Sequence, residues 1–295
     1  MTKKSPLITQ ANWADMVFFF GPLLVMYLIF YVFSLGFLMY TSLYRVNISL
    51  AGGRWVGFDN FRLLLIDGNF LTALTNNLVF AAVAIFAGLT IGFFIAVTLS
   101  TGVRRKGLFY AAFLLPSLMP IALIASVFRV LLESRFGAVN ETLRAVGLDA
   151  LAIGWLIEPG LAYGVVIILF VYLIGLPVMY YTAAMSTINT SVIEAAVLDG
   201  AGTWQIMRQI LFPLLRATHT TIIISTVLMT FRAFDVVFFS TQGGPSGLTE
   251  ITGTYVYRFS TSGNNIGYGS AAALLVMVIS LVISIVQYAL PRSRN

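Results

Sequence analysis

The sequence predicts an all-α integral membrane protein with about six transmembrane helices. Of its 295 residues, 59% are hydrophobic and only 9% are charged, and the mean hydropathy is +0.94. Soluble domains carry about 25% charged residues, so this composition is typical of a membrane protein. Several apolar runs are long enough to cross a bilayer core of about 30 Å as helices. We therefore assign residues 1–295 to a single transmembrane domain.

Six apolar stretches are predicted to span the membrane. They cover residues 16–40, 78–99, 108–128, 161–185, 217–240 and 266–290. The polar residues 1–15 lack the cleavage site of a signal peptide, and the apolar run after them is too long for one, so that run is interpreted as the first span. Pro116 and Pro120 predict a bend in the third span, because neighbouring helices can satisfy the backbone groups that proline frees.

The net charge of +6 is explained by membrane topology. Six spans place both termini on the same side of the membrane. With that side in the cytoplasm, the inner segments hold nine Lys and Arg residues and the outer segments hold seven. The densest basic cluster, Arg104, Arg105 and Lys106, then lies in a short inner loop, as the positive-inside rule expects. The prediction is a multi-pass protein with cytoplasmic termini and no nucleic-acid partner.

A polar stretch, residues 186–216, separates the fourth and fifth predicted spans. Ser191 and Glu194 fit a capping box at the start of a first short helix. Gly200 and Gly202 are expected to end that helix, because glycine accepts the backbone conformations that close a helix. The stretch is thus predicted to begin with a short helix and a sharp turn at the membrane surface.

A second helix is predicted in the same stretch, with Thr203 as its N-terminal cap. Pro213 is expected to bend this helix or to start the next one. Apolar residues recur at four-residue spacing and form a stripe of Ile206, Ile210 and Leu214. The helix, turn and second helix together indicate a docking element.

The spacing in this stretch resembles a known signature: E-A-A, three residues, G, nine residues, I-x-L-P. The chain carries it as Glu194-Ala195-Ala196, Gly200, Ile210 and Pro213, with Phe212 in the leucine position. It is the cytoplasmic loop signature of permease subunits of binding-protein-dependent ABC importers. The resemblance implies a coupling helix that sits in a cleft of a separate ATPase subunit. The residues implied to make this contact are Glu194, Ala195, Ala196, Leu198, Asp199, Gly200 and Ala201. Those implied to shape the loop are Ser191, Ile210 and Pro213.

The outer loops resemble those of the carbohydrate-uptake group of this family. The matching residues are the turn Gly243-Gly244-Pro245, then Tyr255 and Tyr257, then residues 267–271 at the start of the last span. The resemblance implies that the glycine-proline turn contacts an extracytoplasmic binding protein. In an earlier outer loop, Asn140 is predicted to cap a short helix. Asn189 departs from the family, in which a proline usually precedes the coupling helix.

Arg232 and Asp235 are the only charged residues well inside a predicted span. Ionisable side chains at that depth are costly, and they normally face a water-filled path or pair with one another. At i and i+3 on one helix they would share a face, which allows a self-neutralising pair. The alternative is contact with the substrate, with aromatic rings as a stacking surface. The candidate substrate path then comprises Arg232, Asp235, Phe231, Phe234, Tyr180, Tyr181 and Asn76. For Asn76 the competing interpretation is hydrogen bonding at a helix start.

The resemblance implies the permease subunit of a type I ABC importer for a sugar or oligosaccharide. Glycerol phosphate or another polyol is the alternative substrate. The chain lacks a P-loop, G-x-x-x-x-G-K-[ST], so it is not predicted to be an enzyme, and ATP and Mg²⁺ are assigned to the ATPase subunits. The implied partners are a second, different permease, two ATPase subunits, a substrate-binding protein and the lipid bilayer of a prokaryotic cytoplasmic membrane. Transport would proceed by alternating access.

Two other classes of membrane protein fit the sequence less well. A secondary transporter needs an ion site near the bilayer midplane, usually built from paired repeats, and it would leave the signature at residues 194–213 unexplained. A membrane enzyme needs a cluster of histidine and acidic residues at a membrane face. The chain has one histidine, His219, and no cysteine, so neither a catalytic cluster nor a metal site is expected.

Overall fold

The computed structural model describes residues 13–50, 52–101 and 104–289, which are mostly helical. We number the helices along the chain. The first seven are α1 (Trp13–Tyr27, Leu28–Phe33 and Ser34–Ser42 in one run), α2 (Asp59–Ile66), α3 (Gly68–Ala87, Gly88–Gly92 and Phe93–Ser100 in one run), α4 (Lys106–Leu118), α5 (Ile121–Leu131), α6 (Ala138–Ala145) and α7 (Pro159–Tyr172 and Gly175–Met185). The others are α8 (Thr190–Leu198), α9 (Thr203–Gln205, Ile206–Leu211 and Phe212–Leu214), α10 (Arg216–Arg232), α11 (Asp235–Ser240), α12 (Thr252–Tyr257 and Arg258–Ser262) and α13 (Ile266–Ala289). The strands β1 (Tyr44–Arg45) and β2 (Arg54–Trp55) form one antiparallel hairpin, with Tyr44 opposite Trp55.

Helix α1 stands apart from the rest of the described chain for most of its length. Most of its described apolar side chains between Trp13 and Tyr40 are exposed, and burial begins at Thr41 and Ser42. There the Thr41 hydroxyl lies 2.9 Å from the hydroxyl of Ser270 on α13. A helix that is apolar on every side needs lipid or another protein chain around it.

Helix α3 begins at Gly68, ten residues before the predicted start of the second span. The Asp67 carboxylate caps it, because it accepts a hydrogen bond of 2.8 Å from the backbone N–H of Asn69. Hydropathy misses this start because the first turns contain several polar residues. Asn76 and Asn77 consequently lie two turns inside the helix, and the interpretation of Asn76 as a residue of a helix start is wrong.

The third predicted span is divided between α4 and α5, which meet at an angle of 95°. Met119 at the junction is extended, with ψ 149°, as expected of a residue that precedes proline. Pro120 then precedes the first residue of α5, whereas Pro116 stays inside α4. The predicted bend is therefore present, and it falls at the second of the two prolines.

The fifth predicted span, residues 217–240, is also interrupted. Helix α10 ends at Arg232, and α11 begins only at Asp235. Just before this predicted span, α9 meets α10 at an angle of 68°. The described residues thus contain four helices that are long and apolar enough to cross a membrane, or six if each bent pair counts as one span. The number of six spans stays a prediction.

The buried core forms three clusters along α3. The first, around Phe80 and Phe170, joins α3 to α5, α7 and α11. The second, around Phe93, joins the end of α3 to the end of α7 and to α9 and α10. The third, around Phe70 and Tyr255, joins the start of α3 to α2, α12 and α13. Phe70 and Phe93 are separated by about 35 Å of helix, so the second and third clusters occupy opposite ends of the fold.

Candidate functional site

The break between α10 and α11 separates the two charged residues of the fifth predicted span. Ala233 is extended, with ψ 129°, and Phe234 has φ −132° and ψ −51°, so the chain leaves the helix for two residues. Arg232 and Asp235 therefore do not share one helix face. In the described part of the chain, the ion pairs are those of Arg144 with Glu141 and of Arg258 with Glu250. The predicted self-neutralising pair is absent from this set, and the i,i+3 argument for it is wrong.

Asn77 on α3 holds the break in place. Its side-chain amide donates a hydrogen bond of 2.8 Å to the carbonyl of Thr230, which also accepts the N–H of Ala233. Its carbonyl oxygen accepts bonds of 2.8 Å from both the backbone N–H and the hydroxyl of Thr252. The last carbonyls of a helix lack partners within the helix, and at this end the Asn77 amide is a hydrogen-bond donor to one of these carbonyls. Sequence reasoning missed Asn77 as a site residue, although an adjacent pair of asparagines in an apolar helix is a usable signal.

Gly253 at the start of α12 allows the chain to approach the break. A Cβ atom at this position would lie 2.6 Å from the carbonyl oxygen of Ala233. The glycine is needed because a larger residue would push the two segments apart. The break is thus fixed by contacts from two separate helices.

A cavity of about 540 Å³ lies at this break. Arg232 and Asp235 line it with the hydroxyl of Ser225 and the ring of Phe234, and both charged side chains are exposed. The rest of the lining is mostly apolar and comes from α5, α7, α10 and α11. Such a cavity offers the donors of a guanidinium, the acceptors of a carboxylate and one aromatic face. It can hold a polar solute that carries hydroxyl groups.

Of the two predicted phenylalanines, only Phe234 lines the cavity at the break. Phe231 is buried and lines a second cavity, of about 360 Å³, between α10, α12 and α13. Arg232 lines both cavities, so its side chain lies between them.

Tyr180 and Tyr181 belong to the second core cluster and do not line the cavity at the break. Tyr181 is fully buried, and its ring centroid lies 5.6 Å from that of His219. The reason is the antiparallel arrangement of α7 and α10, which brings the end of α7 to the start of α10. The expected position of these tyrosines beside Arg232 is wrong.

Asn76 anchors the loop after α11. Its side-chain amide donates hydrogen bonds of 2.8 and 2.7 Å to the carbonyls of Leu248 and Glu250. Its side-chain oxygen accepts a hydrogen bond of 3.1 Å from the Tyr163 hydroxyl. Asn76 is buried and does not line the cavity at the break. The geometry therefore supports a structural tether and gives no support to a place on the substrate path.

Two carboxylates in the segments that precede α3 and follow α11 have opposite pKa shifts. Burial raises the pKa of Glu250; the charge of Arg258, 2.7 Å away, opposes the rise, and the charge of Asp67 adds to it. Burial also tends to raise the pKa of Asp67, but hydrogen bonds from the Tyr255 hydroxyl and from the Asn69 backbone outweigh it and leave the pKa below its ordinary value. Each carboxylate thus has identified partners that explain its burial.

The turn that contains Gly243, Gly244 and Pro245 lies next to this network. The Thr249 hydroxyl donates a hydrogen bond of 2.7 Å to the carbonyl of Gly244, and this bond closes the turn. Gly243 is buried, whereas Gly244 and Pro245 are half-buried. Asn140 is fully buried inside α6, and its side-chain oxygen accepts a hydrogen bond of 2.8 Å from the indole N–H of Trp155, so its predicted role as a helix cap is wrong.

Helix α8 corresponds to the first helix of the polar stretch. Its N-terminal cap is Asn189, whose side chain accepts a hydrogen bond of 3.1 Å from the backbone N–H of Ser191. The capping box predicted for Ser191 and Glu194 is wrong, because the helix begins one residue before Ser191. Asn189 is a good cap, which explains its presence at this position.

Helix α8 ends in a Schellman motif, a pair of hydrogen bonds that closes a helix around a left-handed residue. The N–H of Ala201 bonds to the carbonyl of Ala196 over 2.9 Å, and that of Gly200 bonds to Val197 over 3.0 Å. Gly200 has φ +83°, which glycine adopts without steric cost. The predicted stop at Gly200 agrees with this geometry.

Helix α9 differs from the prediction in its cap and in its buried face. The N–H of Gly202 donates to the Gln205 side chain over 2.8 Å, and the helix begins at Thr203, so Thr203 is not the cap. Residues 206–211 are π-helical, which shifts the register of the buried side. The buried residues are Ile206, Leu211 and Leu215, whereas Ile210 is half-buried and Leu214 is exposed. Pro213 lies in the last turn before the 68° bend.

The two sides of α8 have different surroundings. Ile193, Ala196 and Ala201 pack against the second core cluster. On the other side, Leu198 is 88% exposed and Val197 is 57% exposed. The residues of the signature that are exposed with them are Glu194, Ala195, Asp199 and Gly200. An exposed apolar surface edged by carboxylates suits contact with another protein.

Comparison with known proteins identifies the family of this fold. Residues 88–295 match the model of the family described as binding-protein-dependent transport system inner membrane component. A probable ABC transporter permease protein of Pyrococcus horikoshii is 30% identical over 90% of this chain and 92% of its own length. The multiple sugar-binding transport system permease protein of Streptococcus mutans is 27% identical over 99% of both chains. The diacetylchitobiose uptake system permease protein of Streptomyces coelicolor is 29% identical over 83% of this chain and 76% of its own.

Solved structures show the same fold. A chain of a bacterial ABC transporter involved in the import of the acidic polysaccharide alginate has a TM-score of 0.80 at 22% identity, and the match covers 96% of this chain and 99% of that one. The family match covers well over half of the sequence, and the helical fold agrees with it. The chain belongs to the inner-membrane permease components of binding-protein-dependent ABC transport systems.

Proposed function

We propose that this permease imports a sugar or an oligosaccharide and that the cavity at the α10–α11 break is part of its path. The observation that carries the proposal is the exposure of Arg232 and Asp235 to one cavity without an ion pair between them. Ionisable groups inside a membrane protein that are not paired normally face a water-filled path. The names of the relatives in Streptococcus mutans and Streptomyces coelicolor support a saccharide as the class of substrate.

The chemistry of the cavity fits a sugar hydroxyl face. The guanidinium of Arg232 donates to hydroxyl oxygens, and the carboxylate of Asp235 accepts from hydroxyl protons. Phe234 supplies an aromatic face against which an apolar ring surface can pack. The carboxylate beside the arginine disfavours an anionic solute such as glycerol phosphate, which makes the polyol phosphate the second choice.

The coupling role of α8 belongs to the same proposal. In it, Leu198, Val197 and the residues exposed with them enter a cleft of a partner ATPase subunit. Those residues are Glu194, Ala195, Asp199 and Gly200, while Ala196 and Ala201 fix the helix to the core. ATP and Mg²⁺ would be bound by the ATPase, and closure of two ATPase subunits would move α8 and reverse the direction in which the cavity opens.

The proposal also includes the remaining partners. Helix α1 is exposed over most of its length, which supports contact with lipid and with a second, different permease. The turn of Gly243, Gly244 and Pro245 is assigned to the binding protein. In this proposal α8 and both termini lie in the cytoplasm of a prokaryotic cell.

The test uses the complete transporter in proteoliposomes, with the binding protein, and offers radiolabelled disaccharides and radiolabelled glycerol phosphate in separate assays. We expect Arg232→Leu, Asp235→Leu and the double variant each to reduce uptake by about tenfold or more, the effect of a loss of about 1.4 kcal/mol. Arg54→Leu, at an exposed position in β2, is the control and should transport normally. Full uptake by the double variant would show that the cavity is not part of the substrate path. Uptake of glycerol phosphate without uptake of any disaccharide would show that the substrate is the polyol phosphate.

A further inference from the structure

A separate cavity of about 600 Å³ lies at the opposite end of the fold from the outer loops. The ends of α3 and α7 meet the starts of α4 and α8 around it. It shares no lining residue with the cavity at the break. Its polar lining residues are Ser100, Lys106, Tyr110, Thr182, Ser186 and Thr190.

The polar groups of this cavity suit an anion. Lys106 supplies a positive charge, and no carboxylate is among the residues described as lining the cavity. The hydroxyls of Ser100, Thr182 and Ser186 donate to carbonyls of their own helices.

The remaining donors are free to reach a ligand. Among the hydrogen bonds of the described residues, none uses the side chain of Lys106, Tyr110 or Thr190. These three groups come from two different segments of the lining and present an ammonium and two hydroxyl donors to the same space. Phosphate oxygens accept hydrogen bonds from such groups.

The residues around the cavity suit a lipid that carries a phosphate group. Arg104 and Arg105 directly precede Lys106 and are both exposed, so the chain beside the cavity is strongly basic. Leu99, Met185 and Ile188 add an apolar wall. Outside it, the exposed side chains of Leu108 and Phe109 continue the apolar surface along α4. A soluble phosphate would use only the donors, whereas a phospholipid uses both the donors and the apolar surface.

We propose that this cavity binds the headgroup phosphate of an anionic glycerophospholipid, with one acyl chain along α4. Basic pockets between transmembrane helices on the cytoplasmic side are suited to such headgroups, because the inner leaflet is rich in anionic lipid. Lys106 is the main contact with the phosphate, and the hydroxyls of Tyr110 and Thr190 add hydrogen bonds.

The site also touches the segment that leads into α8. Ile188 and Thr190 line the cavity, and Asn189 between them caps α8. A lipid bound there joins the start of α4 to the base of α8. We therefore expect the lipid to support transport as well as to bind, and this second part rests on the proposed coupling function.

Binding is tested first, by native mass spectrometry of the purified complete transporter mixed with phosphatidylglycerol or phosphatidylcholine. We expect retention of phosphatidylglycerol and a reduction of about fivefold in Lys106→Gln, the effect of one basic contact near the membrane surface. Lys106→Arg should retain the lipid. Arg216→Gln, at an exposed basic position at the start of α10, is the control and should also retain it.

The source of the phosphate is tested with inorganic phosphate as competitor. Loss of the lipid signal at millimolar phosphate would overturn the lipid assignment in favour of a soluble anion. Equal retention by Lys106→Gln and the unchanged protein would overturn the site.

Transport is then compared in liposomes with and without phosphatidylglycerol. The link to α8 is supported if removal of phosphatidylglycerol lowers uptake by the unchanged protein but does not change uptake by Lys106→Gln. Lipid retention that depends on Lys106 stands even if no saccharide is transported, so failure of the proposed substrate and failure of this site are distinguishable.

Discussion

The interaction that most directly determines the shape of the cavity is that of Asn77 with the helix break, and its removal has a predictable cost. Asn77→Ala deletes three hydrogen bonds of 2.8 Å, one to the Thr230 carbonyl and two from Thr252. A typical hydrogen bond contributes about 1 kcal/mol to stability, and side-chain bonds between membrane helices average about 0.6 kcal/mol. The loss should therefore be about 2–3 kcal/mol. Its upper end is favoured because Thr252 is fully buried and its N–H would be left without a partner.

The free energy of unfolding can be measured by SDS titration of the purified protein, with uptake measured in parallel. We expect Asn77→Ala to lose stability by the stated amount and also to lose transport, because the end of α10 would no longer be joined through Asn77 to the start of α12. Thr75→Ala is the neutral control, since its exposed hydroxyl bonds only to the Leu71 carbonyl of the same helix. A loss below about 0.5 kcal/mol in Asn77→Ala, within the scatter of surface substitutions, would refute the role given to this residue.

Two further predictions concern glycines. Gly253→Ala should reduce stability and uptake together, because the added methyl would lie 2.6 Å from the Ala233 carbonyl oxygen, and normal behaviour of this variant in both assays would show that the break can relax. Gly200→Val should uncouple ATP hydrolysis from uptake at an unchanged protein level, because a branched residue is strained at φ +83° and distorts the end of α8. Wild-type uptake in Gly200→Val would argue against the coupling role of this turn.

The long helices were predictable because a bilayer demands long apolar segments. The polar stretch was predictable in outline, since Gly200 closes a helix for a reason that is local to the chain. The position of Tyr181 beside His219 was also within reach of sequence reasoning. Both residues lie close to the ends of the same polar stretch, so two antiparallel helices joined by it bring them together.

The break after Arg232 was not predictable from local sequence. The residues from Arg232 to Asp235 contain neither proline nor glycine, and a continuous helix was the reasonable expectation. The cause lies in other parts of the chain, namely the hydrogen bonds of Asn77 and the close approach of Gly253. The shifted stripe in α9 has a similar explanation, because a π-helical turn is not encoded by apolar spacing alone.

The energetics of the break support the proposed substrate path at this position. A continuous helix would have allowed Arg232 and Asp235 to neutralise one another, and a charge in the middle of a membrane span costs about 2.5–3.5 kcal/mol on insertion scales. The structure gives up that pairing and the continuity of the helix, but at the end of α10 the Thr230 carbonyl accepts both the Ala233 N–H and the Asn77 amide. The backbone cost is thus offset locally, whereas the charges are left exposed to the cavity. Two charges in that position are stable only in contact with water or a polar solute, and a path for a hydrophilic substrate provides both.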